Sequence, residues 1–211
     1  FWFDAQGRAT SLSTNTGLSY PFILSLQLDS EGGLWVGTDG GGLTRVKPRR
    51  FQVAGPTRGK VVQSVCEAPD GAVWVGFNAF ARGENGVGLL RGGTFHGFGE
   101  TNGLSVLSVR SVLARADGSL WAGTVGGVFL LRGEATLPQF RPALQLGDVQ
   151  VLHEDRQGRV WIGTASGLAS WDGRELKAWS PLSGDSVRAM AQDAKGDLWV
   201  GTEQAGLVRL A

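Results

Sequence analysis

The chain of 211 residues carries 20 Lys+Arg against 19 Asp+Glu, a net charge of +1, with 42% hydrophobic residues. With its basic residues scattered, it offers no electrostatic case for nucleic acid or an anionic membrane surface, and its hydrophobic content is globular rather than disordered. A single cysteine, Cys66, excludes an intrachain disulfide, and no apolar run approaches the ~18 residues of a membrane helix.

The opening FWFDAQGRATSLSTNTGLS has neither an initiator Met nor a charged-then-apolar leader, and reads as part of a longer protein. Five similar units follow it. Each begins with an apolar strand: ILSLQLD, VQSVCEA, VRSVLAR, VQVLHED and VRAMAQD. A glycine turn leads to a second strand centred on tryptophan: LWVGT, VWVGF, LWAGT, VWIGT and LWVGT. The third strand follows one or two glycines (GLTRV, GLLRG, GVFLL, GLASW, GLVRL), and a weaker fourth is legible in TFHGF and LKAWS.

Trp35, Trp74, Trp121, Trp161 and Trp199 are spaced 39, 47, 40 and 38 residues apart. A period near 40 in a glycine-rich, strand-forming chain predicts an all-β propeller of about five four-stranded blades. Helical solenoids of similar period need uninterrupted helix formers, and here Gly or Pro breaks every stretch. The units run at about 23–60, 61–108, 109–148, 149–186 and 187–211. Residues 1–22 are expected to complete the last blade and close the ring; a cut segment of a larger propeller fits the same ends.

A glycine stands three residues before every tryptophan, as a tight hairpin with positive φ requires. An acid accompanies it at one of two registers. Asp29, Asp155 and Asp193 lie six before the Trp, whereas Asp70 and Asp117 lie four before it. Both placements predict a carboxylate capping the turn's N–H groups rather than a metal cluster, since the acids belong to different blades. The five tryptophans are expected to form the inter-blade core. Gly37, Gly76, Gly123, Gly163 and Gly201, two residues on, are expected to leave room for a large ring from the adjoining blade.

No nucleophile, zinc or phosphate-loop motif is present, and no catalytic residue, metal or cofactor is assigned. Cys66 reads as a small buried residue, and His96 and His153 lack convergent partners for a metal. The binding candidates are eleven residues before each Trp: Leu24, then Gln63, Arg110, Gln150 and Arg188, polar where their neighbours are aliphatic. Facing the channel or its mouth, they would hold a carboxylate or sugar hydroxyls; the plainer reading is that they hydrate the channel. A second candidate, for a partner, is the insertion after the second tryptophan strand, with Phe77, Phe80, Arg82 and Glu84.

The segments SLQLDSEGGLWVGTDGGGLTRV and VQVLHEDRQGRVWIGTASGLASWDG, with the loops TNTGLS and TNGLS, resemble the two-component regulator propeller repeat. The second unit departs from it, with Phe77 in place of Thr and the insertion NAFARGENG. The resemblance implies a non-catalytic, extracytoplasmic or periplasmic ligand-sensing module of a bacterial signalling protein. It implies a small-molecule or glycan ligand, an output domain in the same parent chain, and a homodimer as the full-length assembly. The rival readings are a propeller enzyme, lyase or glycosidase-like, and a protein-interaction scaffold or lectin.

Overall fold

The protein's computed structural model describes residues 2–3, 9–11, 13–14, 17–47, 50–79, 81, 83–132 and 140–210. Two short strands, β1 (Trp2–Phe3) and β2 (Ala9–Thr10), pair with each other. All later strands form five antiparallel sheets in chain order. Blade 1 is β3 (Ile23–Leu28), β4 (Leu34–Thr38), β5 (Gly42–Lys47) and β6 (Arg50–Val53). Blade 2 is β7 (Val62–Glu67), β8 (Val73–Phe77), β9 (Val87–Arg91) and β10 (Thr94–Phe98). Blade 3 is β11 (Val109–Ala114), β12 (Leu120–Thr124), β13 (Gly127–Leu131) and β14 (Phe140–Leu144). Blade 4 is β15 (Val149–Glu154), β16 (Val160–Thr164), β17 (Gly167–Trp171) and β18 (Leu176–Trp179). Blade 5 is β19 (Val187–Gln192), β20 (Leu198–Thr202) and β21 (Leu207–Leu210). The chain is thus an all-β, five-bladed propeller with four-stranded antiparallel blades, the last showing three strands among the described residues.

The second strand of each blade lies between two neighbours, and β8, β12 and β16 are buried along their whole length. Strands covered on both faces need apolar side chains in both directions, which the L-W-V-type sequence supplies. Each tryptophan then packs into the following blade. Trp35 meets Val62, Val65 and Val75; Trp74 meets Val109 and Val112; Trp121 meets Val149 and Leu152; Trp161 meets Val187 and Val200. Burying rings of this size contributes about 2–3 kcal/mol each.

The glycine two residues after each tryptophan makes room for a valine, not for the expected aromatic ring. A Cβ added at Gly37, Gly76, Gly123 or Gly163 would lie 2.5, 3.0, 2.6 or 2.6 Å from Cγ1 of Val62, Val109, Val149 or Val187. A small β-branched knob standing upright on the pleat fills that gap and leaves the large ring to the neighbouring column.

The hairpin turns before the tryptophans are all closed by glycine in the left-handed region, with φ of +75° to +96° at Gly32, Gly71, Gly118, Gly158 and Gly196. First strands pack in succession, β3 on β7, β7 on β11, β11 on β15 and β15 on β19. Among the described residues no comparable packing joins β19 to β3. The expected completion of the last blade by residues 1–22 is not what the strands do. β1 pairs with its sequence neighbour β2, whose short loop costs less closure entropy than pairing with the distant β21.

Candidate binding site

Every first strand slips register by one residue against its second strand, and the slip falls at the same place each time. It lies between Ile23 and Ser25, Val62 and Ser64, Val109 and Ser111, Val149 and Val151, and Val187 and Ala189. The skipped residues are Leu24, Gln63, Arg110, Gln150 and Arg188. A β-bulge leaves its extra residue out of the ladder and re-aims the side chain. The bulges lie near the start of the innermost strands, so these side chains gather at the propeller end where each blade passes to the next.

The structure brings three of the four polar candidates into a paired network. Arg110 Nε and Nη2 donate to Asp148 Oδ1 and Oδ2 at 2.8 and 3.3 Å, spanning blades 3 and 4. Arg188 Nη1 donates to Gln150 Oε1 at 3.1 Å, spanning blades 5 and 4, and its Nη2 to Glu203 Oε2 at 2.6 Å. Gln63 is half-buried on β7, and Leu24 is exposed. Both guanidinium groups are about a third to a half exposed, so they meet solvent at the mouth while a carboxylate fixes their planes. Fixed, forked donors of this kind suit oxygen-rich ligands.

Sequence reasoning missed the carboxylates. Glu203 is the residue after the L-W-V-G-T strand, and the same column holds Asp39, Asn78, Val125 and Ala165. Reading the repeat one column further would have found it. Asp148 sits in the loop entering β15, outside any strand column.

The insertion after β8 stands at this same end. Asn78 Oδ1 accepts the Ser108 hydroxyl at 2.7 Å, and Glu84 Oε2 accepts the Ala81 N–H at 3.1 Å. Phe77 is not part of an exposed loop surface. It is 1% exposed, edge-on to Phe95 with the Lys60 ammonium 5.4 Å from its ring, because it is the last residue of a fully buried strand. Phe80 and Arg82 lie outside the described residues.

The other reactive side chains are accounted for by packing. Cys66 lies between blades 2 and 3, where burial pushes its thiol up to about 12, so it holds its proton at neutral pH. His96 is exposed on β10. His153 is half-buried, and burial pushes its pKa below the ordinary value although Asp155 and Glu154 pull it up. Among the described residues no three His, Cys, Asp or Glu side chains converge as metal ligands, and no helix is long and apolar enough to cross a membrane. A cleft of about 440 Å³ between blades 1 and 2 lies at the opposite end of the strands from the bulges. Its charges are already engaged: Arg45 with Asp29 and Glu31, and Ser30 with Glu67.

Residues 17–40, 143–166 and 181–204 match the family described as two component regulator propeller. No curated protein matches the chain. Among solved structures, the extracellular domain of a protein described as a hybrid two component system, from B. thetaiotaomicron, is 21% identical with a TM-score of 0.74. The match covers 94% of this chain and 28% of that one. A gluconolactonase from Xanthomonas campestris is 14% identical with a TM-score of 0.69, over 90% of this chain and 72% of that one. A virginiamycin B lyase from Staphylococcus aureus is 14% identical with a TM-score of 0.66, over 90% and 69%. At these identities the likeness is one of fold, and the chain spans little more than a quarter of the first of these proteins.

Proposed function

We propose that these two component regulator propeller repeats form a non-catalytic input module of a bacterial signalling protein, held outside the cytoplasm. In this reading the module binds a small polar ligand, such as a glycan, at the mouth ringed by Gln63, Arg110, Gln150 and Arg188. The observation that carries it is the repeated bulge: five equivalent kinks aim one residue column at one opening, and four of the five residues are polar. The family match supports a signalling context, and the B. thetaiotaomicron structure is itself an extracellular domain.

The mouth network suggests how occupancy is read. Arg110–Asp148 ties blade 3 to blade 4, and Arg188–Gln150 ties blade 5 to blade 4. A ligand that takes hydrogen bonds from both arginines bears on two blade junctions at once, and an output domain in the same parent chain, dimeric when intact, would receive the change. The matched gluconolactonase and lyase keep an enzyme in view. A catalytic mouth needs an acid or base poised for proton transfer, and Asp148 and Glu203 are each held by an arginine.

The test is the double variant Arg110→Ala/Arg188→Ala, titrated calorimetrically with a ligand found by screening the wild type against glycans and organic acids. Loss of two charged donors is expected to weaken binding at least tenfold, since each such bond contributes about 1.5–3 kcal/mol. Unchanged affinity overturns the assignment.

A further inference from the structure

The four junctions within the chain are built alike, and the chain carries one unmatched copy of each half. Val62, Val109, Val149 and Val187, the first residues of their strands, are each 0% exposed on the glycine of the preceding blade. Ile23 holds the same place on β3 and is 44% exposed. Leu26 stands where Val65, Val112 and Leu152 are buried, and is 58% exposed. Conversely, Gly201 is a seat with nothing in it: the nearest atom to an added Cβ is Ala189 Cβ of its own blade, 3.6 Å away. Trp199, beside that seat, is half-buried, whereas the other four repeat tryptophans are buried.

The rims of the two open faces also match. Inside the chain the residue after the first-strand acid donates its backbone N–H to the last residue of the next first strand, Ser30 to Glu67 and Arg156 to Gln192. The corresponding residues of the open faces are Ala194 on blade 5 and Leu28 on blade 1. Where the inner junctions pair polar with polar, the open faces offer apolar to apolar. Exposed apolar surface of this extent marks an interaction site, and the occupant it fits is the face this same chain presents at its other end.

We propose that blade 1 of one molecule docks on blade 5 of a second copy of this chain, head to tail, with Ile23 seated on Gly201. Such a contact is heterologous, so further copies add until the array closes.

The test uses the 211-residue chain in light scattering after gel filtration, over a range of concentrations. The wild type is expected to rise from one chain mass to two or more. Ile23→Asp/Leu26→Asp blocks the blade 1 face, and Gly201→Leu fills the blade 5 seat. Each alone is expected to stay at one chain mass, with circular dichroism confirming that it is folded; Gly201→Leu adds its side chain to open space and keeps the comparison valid should the other variant unfold. An equal mixture of the two is expected to reach two chain masses and stop, because each retains the face the other lacks. A wild type that stays at one chain mass, whether its faces remain bare or close within the chain, overturns the proposal. So does association that both variants leave intact.

Discussion

Blades 3 and 4 close the same hairpin and anchor it differently. In both, the backbone bonds of the turn are the same: Arg115 N–H to Ser119 O and Gly118 N–H to Arg115 O in one, Asp155 N–H to Arg159 O and Gly158 N–H to Asp155 O in the other. In blade 4 the Asp155 carboxylate is 5% exposed. It accepts the N–H groups of Gln157 and Arg159, the Arg159 Nε and the Trp161 indole N–H, all at 2.9–3.0 Å. In blade 3 the acid has moved two residues along. Asp117 caps only Ser119, and the buried Trp121 indole N–H has no partner. Arg115 takes the vacated column, lying 5.9 Å over the Trp121 ring and reaching Glu154 of the next blade at 2.7 Å. Glycine therefore fixes the turn, while the acid at the earlier register also ties the turn to the core ring. Blades 1 and 5 repeat the blade 4 arrangement, Asp29 with Trp35 and Asp193 with Trp199.

The largest expected effect separates the two acids. Asp155→Ala strips a buried indole and two turn amides of their acceptor and should cost about 3 kcal/mol, against about 1 kcal/mol for Asp117→Ala. Urea unfolding of the two variants measures the difference, and equal losses would erase the distinction between registers. The next effect isolates the indole. Trp161→Phe and Trp121→Phe remove similar volume, but only the first breaks a hydrogen bond, so it should be the more destabilising by about 1 kcal/mol.

The smallest effect is pH dependence. Burial alone would raise Asp155, but bonds from the Arg159 side chain, the Trp161 indole and the Arg159 backbone hold it below the usual carboxylate range. A lowered folded pKa means stability present above the unfolded value of about 4 and lost as pH falls below it. Asp155→Ala should flatten that acid limb. His153, where blade 3 has Leu113, is also lowered in the fold, so its contribution is present above about pH 6.5 and lost as pH falls further. His153→Leu should remove the loss of stability on that limb.

The fold was legible because its signal is periodic: a tryptophan followed by glycine five times over leaves few architectures. The outer strands β6 and β14 were not read, because RFQV and FRPAL sit at the rim and share no motif with their counterparts. Alternation showed which face Gly37 and its equivalents occupy, but not that a valine rather than a ring crosses them. The six-residue spacing of Asp29 from Trp35 was visible as turn capping. That the same carboxylate also reaches the indole follows only from the hairpin folding back on itself. At the mouth, the column of Gln63, Arg110, Gln150 and Arg188 was found by repeat alignment, whereas Asp148 lies in a loop the repeat does not index.

The register slip at each first strand has an evolutionary consequence. A residue left out of the ladder and turned away from the tryptophan layer can change identity without disturbing blade stacking. Leucine, glutamine and arginine already occupy that place on one scaffold, which makes the rim a set of five interchangeable letters. New specificities can be written there while the ring that displays them stays the same.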